Sequence, residues 1–138
     1  SVSGSTSAGG LNIAEWTLSE NNIDLMILCL GANDMLRGIN PKETKNNLEE
    51  IIKIAKSKNI KIIIAGMIAP TSYGFEYKKS FDKIFSDLSK KHKLQLIPFL
   101  LEGVAQKPEF NLSDGMHPND QGTIIISNTL KKAILKNL

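Results

Sequence analysis

The chain has 138 residues, of which 41% are hydrophobic and 22% are charged, so it carries enough apolar material for a hydrophobic core. Its formal net charge is +3 at pH 7, but the lysines are spread along the hydrophilic faces of predicted helices and no groove-reading motif accompanies them, which argues against nucleic-acid binding. No apolar run approaches the roughly 20 residues of a membrane span, and one cysteine cannot form an internal disulfide.

Hydrophobic periodicity predicts helices that alternate with strands. The first ten residues are small and polar, which predicts a loop, and the apolar residues from Leu11 to Leu18 then predict a short helix with Trp16 in the core. Continuous apolar runs, typical of buried parallel strands, occupy residues 24–30, 60–65 and 94–99. Longer helices are predicted at 42–58, with Asn40 as the cap, and at 75–91 and 120–138. This order predicts one α/β domain over residues 1–138 with a parallel sheet.

A sheet of three strands is thinner than the usual five or six, and the chain opens in a loop that precedes a helix. We therefore expect a further strand–helix–strand unit, of about thirty residues or more, on the N-terminal side of the sheet. Without it, the sheet would expose a long hydrophobic edge. We therefore expect the chain to fold only with a complement at that edge, either a cleaved N-terminal piece of the same protein or a second copy of the chain. Cleavage is one explanation for the missing unit; a truncated product and a relic with a non-catalytic role are the alternatives.

Polar residues follow the predicted strands, where open α/β sheets bind their ligands. Asn33 comes directly after the first strand and Gly31, and its amide can donate hydrogen bonds into a crevice. Asp114 and His117 lie in the loop before the last helix, at a spacing that lets a carboxylate orient an imidazole general base. An ordinary turn is the alternative interpretation of both patterns. No residues have metal-ligand spacing and no Gly-rich turn indicates a nucleotide, so we expect neither metal nor cofactor.

Three segments, in this order, resemble conserved blocks of the SGNH hydrolases, the GDSL-family serine ester hydrolases. VSGSTSAGGL resembles the block that supplies a glycine, LGANDMLRG the block that supplies an asparagine, and SDGMHPN the block that supplies aspartate and histidine. The stretch IAGMIAPTSYGFEYKKSF is similar to the loop and helix that follow the next strand of the family. The likeness is strongest to the arylesterase and thioesterase/lysophospholipase group, and it implies a three-layer flavodoxin-like fold.

The resemblance implies hydrolysis of carboxylic esters through an acyl-serine intermediate. The backbone N–H of Gly4 and the amide of Asn33 would bind the oxyanion. His117 would carry the proton, Asp114 would orient it, and the loops that bear these groups would converge on one point. The implied substrates are short-chain or aryl esters, thioesters or lysophospholipids, with carbohydrate O-acetyl groups as an alternative. A periplasmic or secreted location is also implied.

The GDSL block, which carries the nucleophilic serine, has no counterpart in this chain. Ser3, Ser5 and Ser7 lie in a similar run, but no strand precedes that run to form the nucleophile turn, and its distance to Asn33 fits the glycine block. We therefore expect another segment to supply the serine and this chain alone to be inactive. A non-catalytic fragment or pseudoenzyme is the alternative, and Ser5 stands where the family commonly has aspartate.

Several other residues have an expected place. The candidate walls for an acyl or aryl group, with ordinary loop packing as the alternative, are Met67, Pro70 and Tyr73. Cys29 is predicted to be a small buried hydrophobe. His92 is predicted to be structural, since it ends a helix among lysines. Asp34 and Arg37 are predicted to pair in the turn after Asn33, with a role in shaping the pocket as the alternative.

Overall fold

The computed structural model describes residues 4–20 and 22–137, and Ser3, one of the serines named above, lies outside these ranges. The contacts divide the chain into two compact units between Pro98 and Phe99. Among the described residues, the first unit contains the sheet and four α-helices, and the second contains the last α-helix. That the whole chain is a single domain stays a prediction.

Within residues 4–20 and 22–98, three parallel strands form a sheet in the order β1–β2–β3, as the apolar runs predict. Their bounds are Leu25–Leu28 for β1, Lys61–Ala65 for β2 and Gln95–Ile97 for β3. The pairing aligns Ile27 of β1 with Ile63 of β2, and Ile63 in turn with Gln95 of β3. The central strand is therefore β2, and its residues from Ile62 to Ala65 are all buried.

Helices alternate with the strands. Their bounds are Ser7–Thr17 for α1, Ala32–Leu36 for α2, Pro41–Ser57 for α3, Phe75–His92 for α4 and Asp120–Leu135 for α5, with 3-10 turns at Thr71–Tyr73 and Pro108–Phe110. Asn40 caps α3, as predicted, because its side chain accepts the N–H of Lys42. The apolar faces of α3 and α4 that the periodicity identifies are buried: Leu48, Ile51, Ile52, Ala55, Phe81, Ile84, Phe85 and Leu88.

Helix α1 begins earlier than its apolar residues predict, inside the run of small residues. It begins at Ser7 because the side chain of Thr6 caps it, accepting the N–H of Gly9 at 3.2 Å. Ala14 is buried in the core, whereas Trp16 lies about 200° further around the helix and is 74% exposed. The prediction that Trp16 belongs to the core is therefore wrong, since the buried stripe of α1 is narrow.

Strand β1 lies at the edge of the sheet, and no strand among the described residues pairs with its outer side. Only Leu28 of its four residues is buried, and the next residue, Cys29, is exposed. The prediction of a buried Cys29 is wrong because this edge is open. Partial desolvation beside apolar residues nevertheless raises the pKa of its thiol.

In the second unit, α5 packs closely on the 3-10 turn that precedes it. A Cβ on Gly122 would lie 3.1 Å from the Val104 side chain and closer still to the Phe110 carbonyl oxygen, so only glycine fits there. Asn119 caps α5 by accepting the N–H of Gly122 at 3.0 Å, and its own N–H donates to Phe110 O at 3.0 Å. These contacts fix the start of α5 directly after the loop that carries the Asp-x-x-His pair.

Candidate active site

The loop that bears the Asp-x-x-His pair is closed by its own backbone. The N–H of Leu112 donates to the carbonyl oxygen of His117 at 2.7 Å, and Asn111 and Pro118 form an antiparallel bridge at its base. Gly115 at its tip has a φ of +69°, a left-handed conformation that favours glycine. The loop therefore returns on itself within a few residues and presents its side chains outward.

Asp114 uses both of its carboxyl oxygens inside this loop. Oδ1 accepts the backbone N–H of Met116 at 2.9 Å and that of His117 at 3.0 Å, which is the hydrogen bonding of an Asx-type turn. Oδ2 lies 2.6 Å from Nδ1 of the His117 ring. The Asp-x-x-His spacing thus brings carboxylate and imidazole into contact. Nε2 is the ring nitrogen that remains for another partner, and the His117 side chain is 66% exposed.

These contacts also keep the Asp114 carboxyl charged. The backbone N–H of His117, the ring of His117 and the N–H of Met116, in that order, lower the pKa of Asp114 to about 2. Asp114 is consequently an anion throughout the neutral pH range. An anion beside Nδ1 holds the proton of a neutral imidazole on that nitrogen and leaves Nε2 as the basic one.

Gly4 and Asn33, the predicted oxyanion donors, lie in one cluster beyond the C-terminal end of β1. Gly31 has a φ of +115°, which permits the sharp exit from the strand and places Asn33 in the first turn of α2. The Asn33 side-chain amide donates to Ser5 O at 3.1 Å, and the guanidinium of Arg37 donates to Gly4 O at 3.2 Å. The structure therefore ties the loop of Gly4 to the helix of Asn33.

A groove of about 370 Å³ lies along β1 in the first unit. Its lining is mostly apolar and comes mainly from α1, β1 and the residues directly after β1, among them Ile13, Met26, Cys29 and Asn33. Ser5, before α1, and Met67, after β2, complete it. Of the three candidate wall residues, Met67 lines this groove. Tyr73 stacks its ring on Tyr77 at a centroid distance of 5.5 Å, and Pro70 is exposed before the 3-10 turn. Their roles in substrate binding stay predictions.

Asp34 belongs to this cluster, whereas the sequence favoured a place in the turn over a role in shaping the pocket. Asp34 is 1% exposed and accepts hydrogen bonds from Ser7 and Thr44. The interpretation of Asp34 and Arg37 as ordinary turn residues is wrong, because Asp34 is buried and Arg37 reaches Gly4. The only sequence signal was that Asp34 directly follows the candidate oxyanion residue.

Neither a metal centre nor a membrane span is found in the part of the chain that the structure describes. Within residues 4–20 and 22–137, no three His, Cys, Asp or Glu side chains lie close enough together to hold a metal ion. No helix in the same ranges is long and apolar enough to cross a membrane.

Known proteins are similar to this sequence over its full length. The model of the GDSL-like Lipase/Acylhydrolase family matches residues 1–123. An arylesterase of Vibrio mimicus is 34% identical over 138 residues, which are 100% of this chain and 69% of that protein. The thioesterase 1/protease 1/lysophospholipase L1 of Escherichia coli (strain K12) is 32% identical over 134 residues, which are 97% of this chain and 64% of that protein. The chain thus spans about two thirds of the length of these relatives.

The fold is similar to that of a solved relative. The crystal structure of TesA superimposes with a TM-score of 0.92 and 31% sequence identity, over 99% of this chain and 76% of that chain. The parallel sheet with its helices is therefore the fold that the three motif segments imply, and the resemblance drawn from those segments is confirmed. The chain belongs to the GDSL-like lipase/acylhydrolase family.

Proposed function

We propose that this chain supplies the general base and the oxyanion donors of a serine ester hydrolase, and that a segment outside it supplies the nucleophilic serine. The observation that carries the proposal is the 2.6 Å contact between Asp114 Oδ2 and His117 Nδ1, which leaves Nε2 as the base. The names of the relatives, an arylesterase and a thioesterase/lysophospholipase, support the same class of reaction.

In the proposed reaction, Nε2 of His117 takes the proton of the serine hydroxyl as the serine oxygen attacks the carbonyl carbon. The electron pair of the carbonyl bond moves to its oxygen, where the N–H of Gly4 and the amide of Asn33 stabilise the charge. The bond to the leaving group then breaks, and the leaving oxygen or sulfur receives the proton from His117. Water, activated in the same way, releases the acid from the acyl-serine.

We assign the open edge of β1 to the segment that bears the serine. An edge strand has unpaired N–H and C=O groups on its outer side, and the apolar groove beside it offers a surface for side chains. A parallel strand on this edge would end where β1 ends, next to Asn33, because the carboxyl ends of parallel strands meet at one edge of a sheet. A serine that follows such a strand would therefore lie beside the oxyanion donors.

The substrates proposed are short-chain or aryl esters, thioesters or lysophospholipids. The names of the relatives, an arylesterase and a thioesterase/lysophospholipase, support these classes over carbohydrate O-acetyl groups. The proposal needs no metal and no cofactor, because each step uses groups of the protein. The periplasmic or secreted location that the resemblance implies belongs to the same proposal, and cell fractionation tests it.

Ester hydrolysis is tested with p-nitrophenyl acetate and butyrate. We expect the chain alone to be inactive and the chain with its serine-bearing segment to be active. His117→Ala should remove most of that activity, on the order of 10³-fold or more. The matched control is His92→Ala, which removes the other histidine of the chain and should leave the rate within a factor of about two. His92 contacts Glu49 rather than the site.

Three outcomes contradict the proposal. A protein that stays inert with the segment present indicates a non-catalytic role. Activity that survives His117→Ala excludes the assigned base. Hydrolysis by the chain alone would place the nucleophile inside it.

The edge assignment is tested by the reactivity of Cys29, the single cysteine of the chain. Cys29 is exposed and lines the groove, so a maleimide should label it in the chain alone under mildly alkaline conditions. With the serine-bearing segment present, labelling should slow at least tenfold. A matched control carries Cys29→Ser together with Ser57→Cys, which places the thiol at an exposed position on α3; it should react equally in both forms. If Cys29 is labelled equally with and without the segment, the edge assignment is refuted. If labelling slows only as the concentration of the chain rises, a second copy of the chain covers the edge instead of the segment.

A further inference from the structure

A buried carboxyl group lies directly beside the proposed oxyanion donors. Asp34 is 1% exposed. Its Oδ1 accepts the backbone N–H of Ser7 at 2.6 Å, and its Oδ2 accepts the hydroxyls of Ser7 at 2.5 Å and of Thr44 at 2.9 Å. All of these donors are neutral backbone or hydroxyl groups, and together they provide hydrogen-bond partners for both oxygens of the buried carboxyl group.

These hydrogen bonds join two segments that are distant in the sequence. Ser7 is the first residue of α1 and ends the loop that begins at Gly4. Asp34 directly follows Asn33 in α2. The two groups proposed to bind the oxyanion are therefore connected by the hydrogen bonds between Asp34 and Ser7. Ser7 lies three residues after Gly4, and Asp34 lies one residue after Asn33.

Two weaker contacts run parallel to these hydrogen bonds. The amide of Asn33 donates to Ser5 O at 3.1 Å, and Arg37 donates to Gly4 O at 3.2 Å. The contact of Arg37 is exposed, so water competes for it and it contributes little. The contacts of Asp34 are buried, and water cannot replace them when they are lost.

We propose that Asp34 is a positioning residue of the oxyanion hole, which holds the Gly4 loop and the Asn33 amide at a fixed separation; this rests on the function proposed above. The Asn33 amide has two hydrogens, and the one bound to Ser5 O fixes the direction of the other. The position of Ser5 O depends in turn on Ser7, which Asp34 holds from two sides. Oxyanion donors act only when they are preorganised at the place where the charge develops.

The proposal predicts a loss of turnover rather than of affinity. Removal of one oxyanion donor costs about 10²–10³-fold in kcat, so a displaced donor should cost part of that range. We expect Asp34→Ala, in the chain with its serine-bearing segment, to lower kcat about 30-fold or more while KM changes less than about threefold. Asp34→Asn keeps an acceptor for the Ser7 N–H and should lose less, which makes it the conservative variant.

Thr44→Val is the matched control. It removes one hydrogen bond to the same carboxyl group at a position that is fully buried, and valine has the shape of threonine. If Asp34 only stabilised the fold, Thr44→Val and Asp34→Asn would both lower thermal stability, and neither would change kcat. We expect Thr44→Val to retain kcat within about twofold at a temperature where both proteins are folded.

A second readout needs no activity. In ¹⁵N NMR spectra of the chain with its serine-bearing segment, Asp34→Ala should shift the side-chain amide signals of Asn33 and speed hydrogen exchange of the Ser7 amide at least tenfold, whereas Thr44→Val should leave both nearly unchanged. If the Asn33 signals and the Ser7 exchange rate are unaffected by Asp34→Ala, the hydrogen bonds between Asp34 and Ser7 do not position the loop and the inference is overturned.

The two readouts separate this inference from the proposed function. If Asn33→Ala leaves ester hydrolysis unchanged, the oxyanion assignment fails, and the inference fails with it whatever the spectra show. If Asn33→Ala lowers kcat but Asp34→Ala does not, the proposed function stands and the positioning role of Asp34 is wrong.

Discussion

Gly66→Ala is expected to destabilise the first unit strongly, although it adds only one methyl group. Gly66 is buried directly after β2, and its N–H donates to Ile97 O at 2.7 Å. A Cβ at this position would lie 2.9 Å from Ile97 O and still closer to Pro98 O. Both neighbours are backbone atoms, so no side chain can rotate away and the ends of β2 and β3 must separate.

The magnitude follows from those contacts. Overpacking of a buried site costs about 1–3 kcal/mol, and separation of the strands weakens a buried backbone hydrogen bond that contributes about 1 kcal/mol. We therefore expect Gly66→Ala to lower the free energy of unfolding by about 2–4 kcal/mol.

Gly9→Ala is the matched control. Gly9 lies inside α1, where a Cβ would meet its nearest neighbour, Ser5 Oγ, at 3.5 Å, which is ordinary contact. Because alanine favours a helix over glycine by about 1 kcal/mol, Gly9→Ala should be neutral or stabilising by up to that amount.

The measurement is urea unfolding followed by circular dichroism, with the free energy and the slope fitted for each protein. Equal stability of Gly66→Ala and the unsubstituted protein would refute the reasoning, since it would mean that β2 and β3 do not approach as closely as the structure shows. The reasoning would also be refuted if Gly9→Ala lost as much free energy of unfolding as Gly66→Ala. Any added methyl group would then explain the loss, and the close approach of β2 and β3 would not be its cause.

Three further predictions test other parts of the molecule. Phe81→Ala should cost about 3–5 kcal/mol because Phe81 is fully buried, whereas Phe75→Ala on the same helix should cost under about 0.5 kcal/mol because Phe75 is 74% exposed; urea unfolding compares them. Lys91 and then His92 lower the pKa of Glu49 to about 2 from 4.5, so this group stabilises the protein above pH 4.5 and loses the effect as the pH falls towards 2. Glu49→Gln should therefore reduce the acid-induced loss in the free energy of unfolding by about 1 kcal/mol, a value discounted for solvent screening. An unchanged dependence of that free energy on pH contradicts this. Asp114→Asn should lower kcat on the order of 10²–10⁴-fold in the ester assay, and a kcat within about twofold would exclude Asp114 as the residue that orients the base.

Patterns among residues close together in the sequence predict the buried helix faces and the Asp114–His117 contact. The spacing of Leu48, Ile52, Phe81 and Phe85 identified the buried faces of α3 and α4, since a helix face depends only on positions three and four residues apart. The same locality explains the Asp114–His117 contact, because a turn of four residues closes it with its own backbone.

Contacts between distant segments were not predictable in this way. Nothing near Asp34 in the sequence indicates that Ser7, 27 positions earlier, would bind it. Arg37 likewise reaches Gly4 across 33 positions, so the turn interpretation of both residues was the wrong one.

Sequence alone therefore determined the family, the order of the helices and strands, and the loop in which carboxylate and imidazole meet, because each depends on residues that are neighbours along the chain. Tertiary structure decided the rest. It exposed Trp16 and Cys29 and buried Asp34, because burial depends on which segments pack against a residue. That information lies in the arrangement of α1, α2 and the open edge of β1, and no short stretch of sequence contains it.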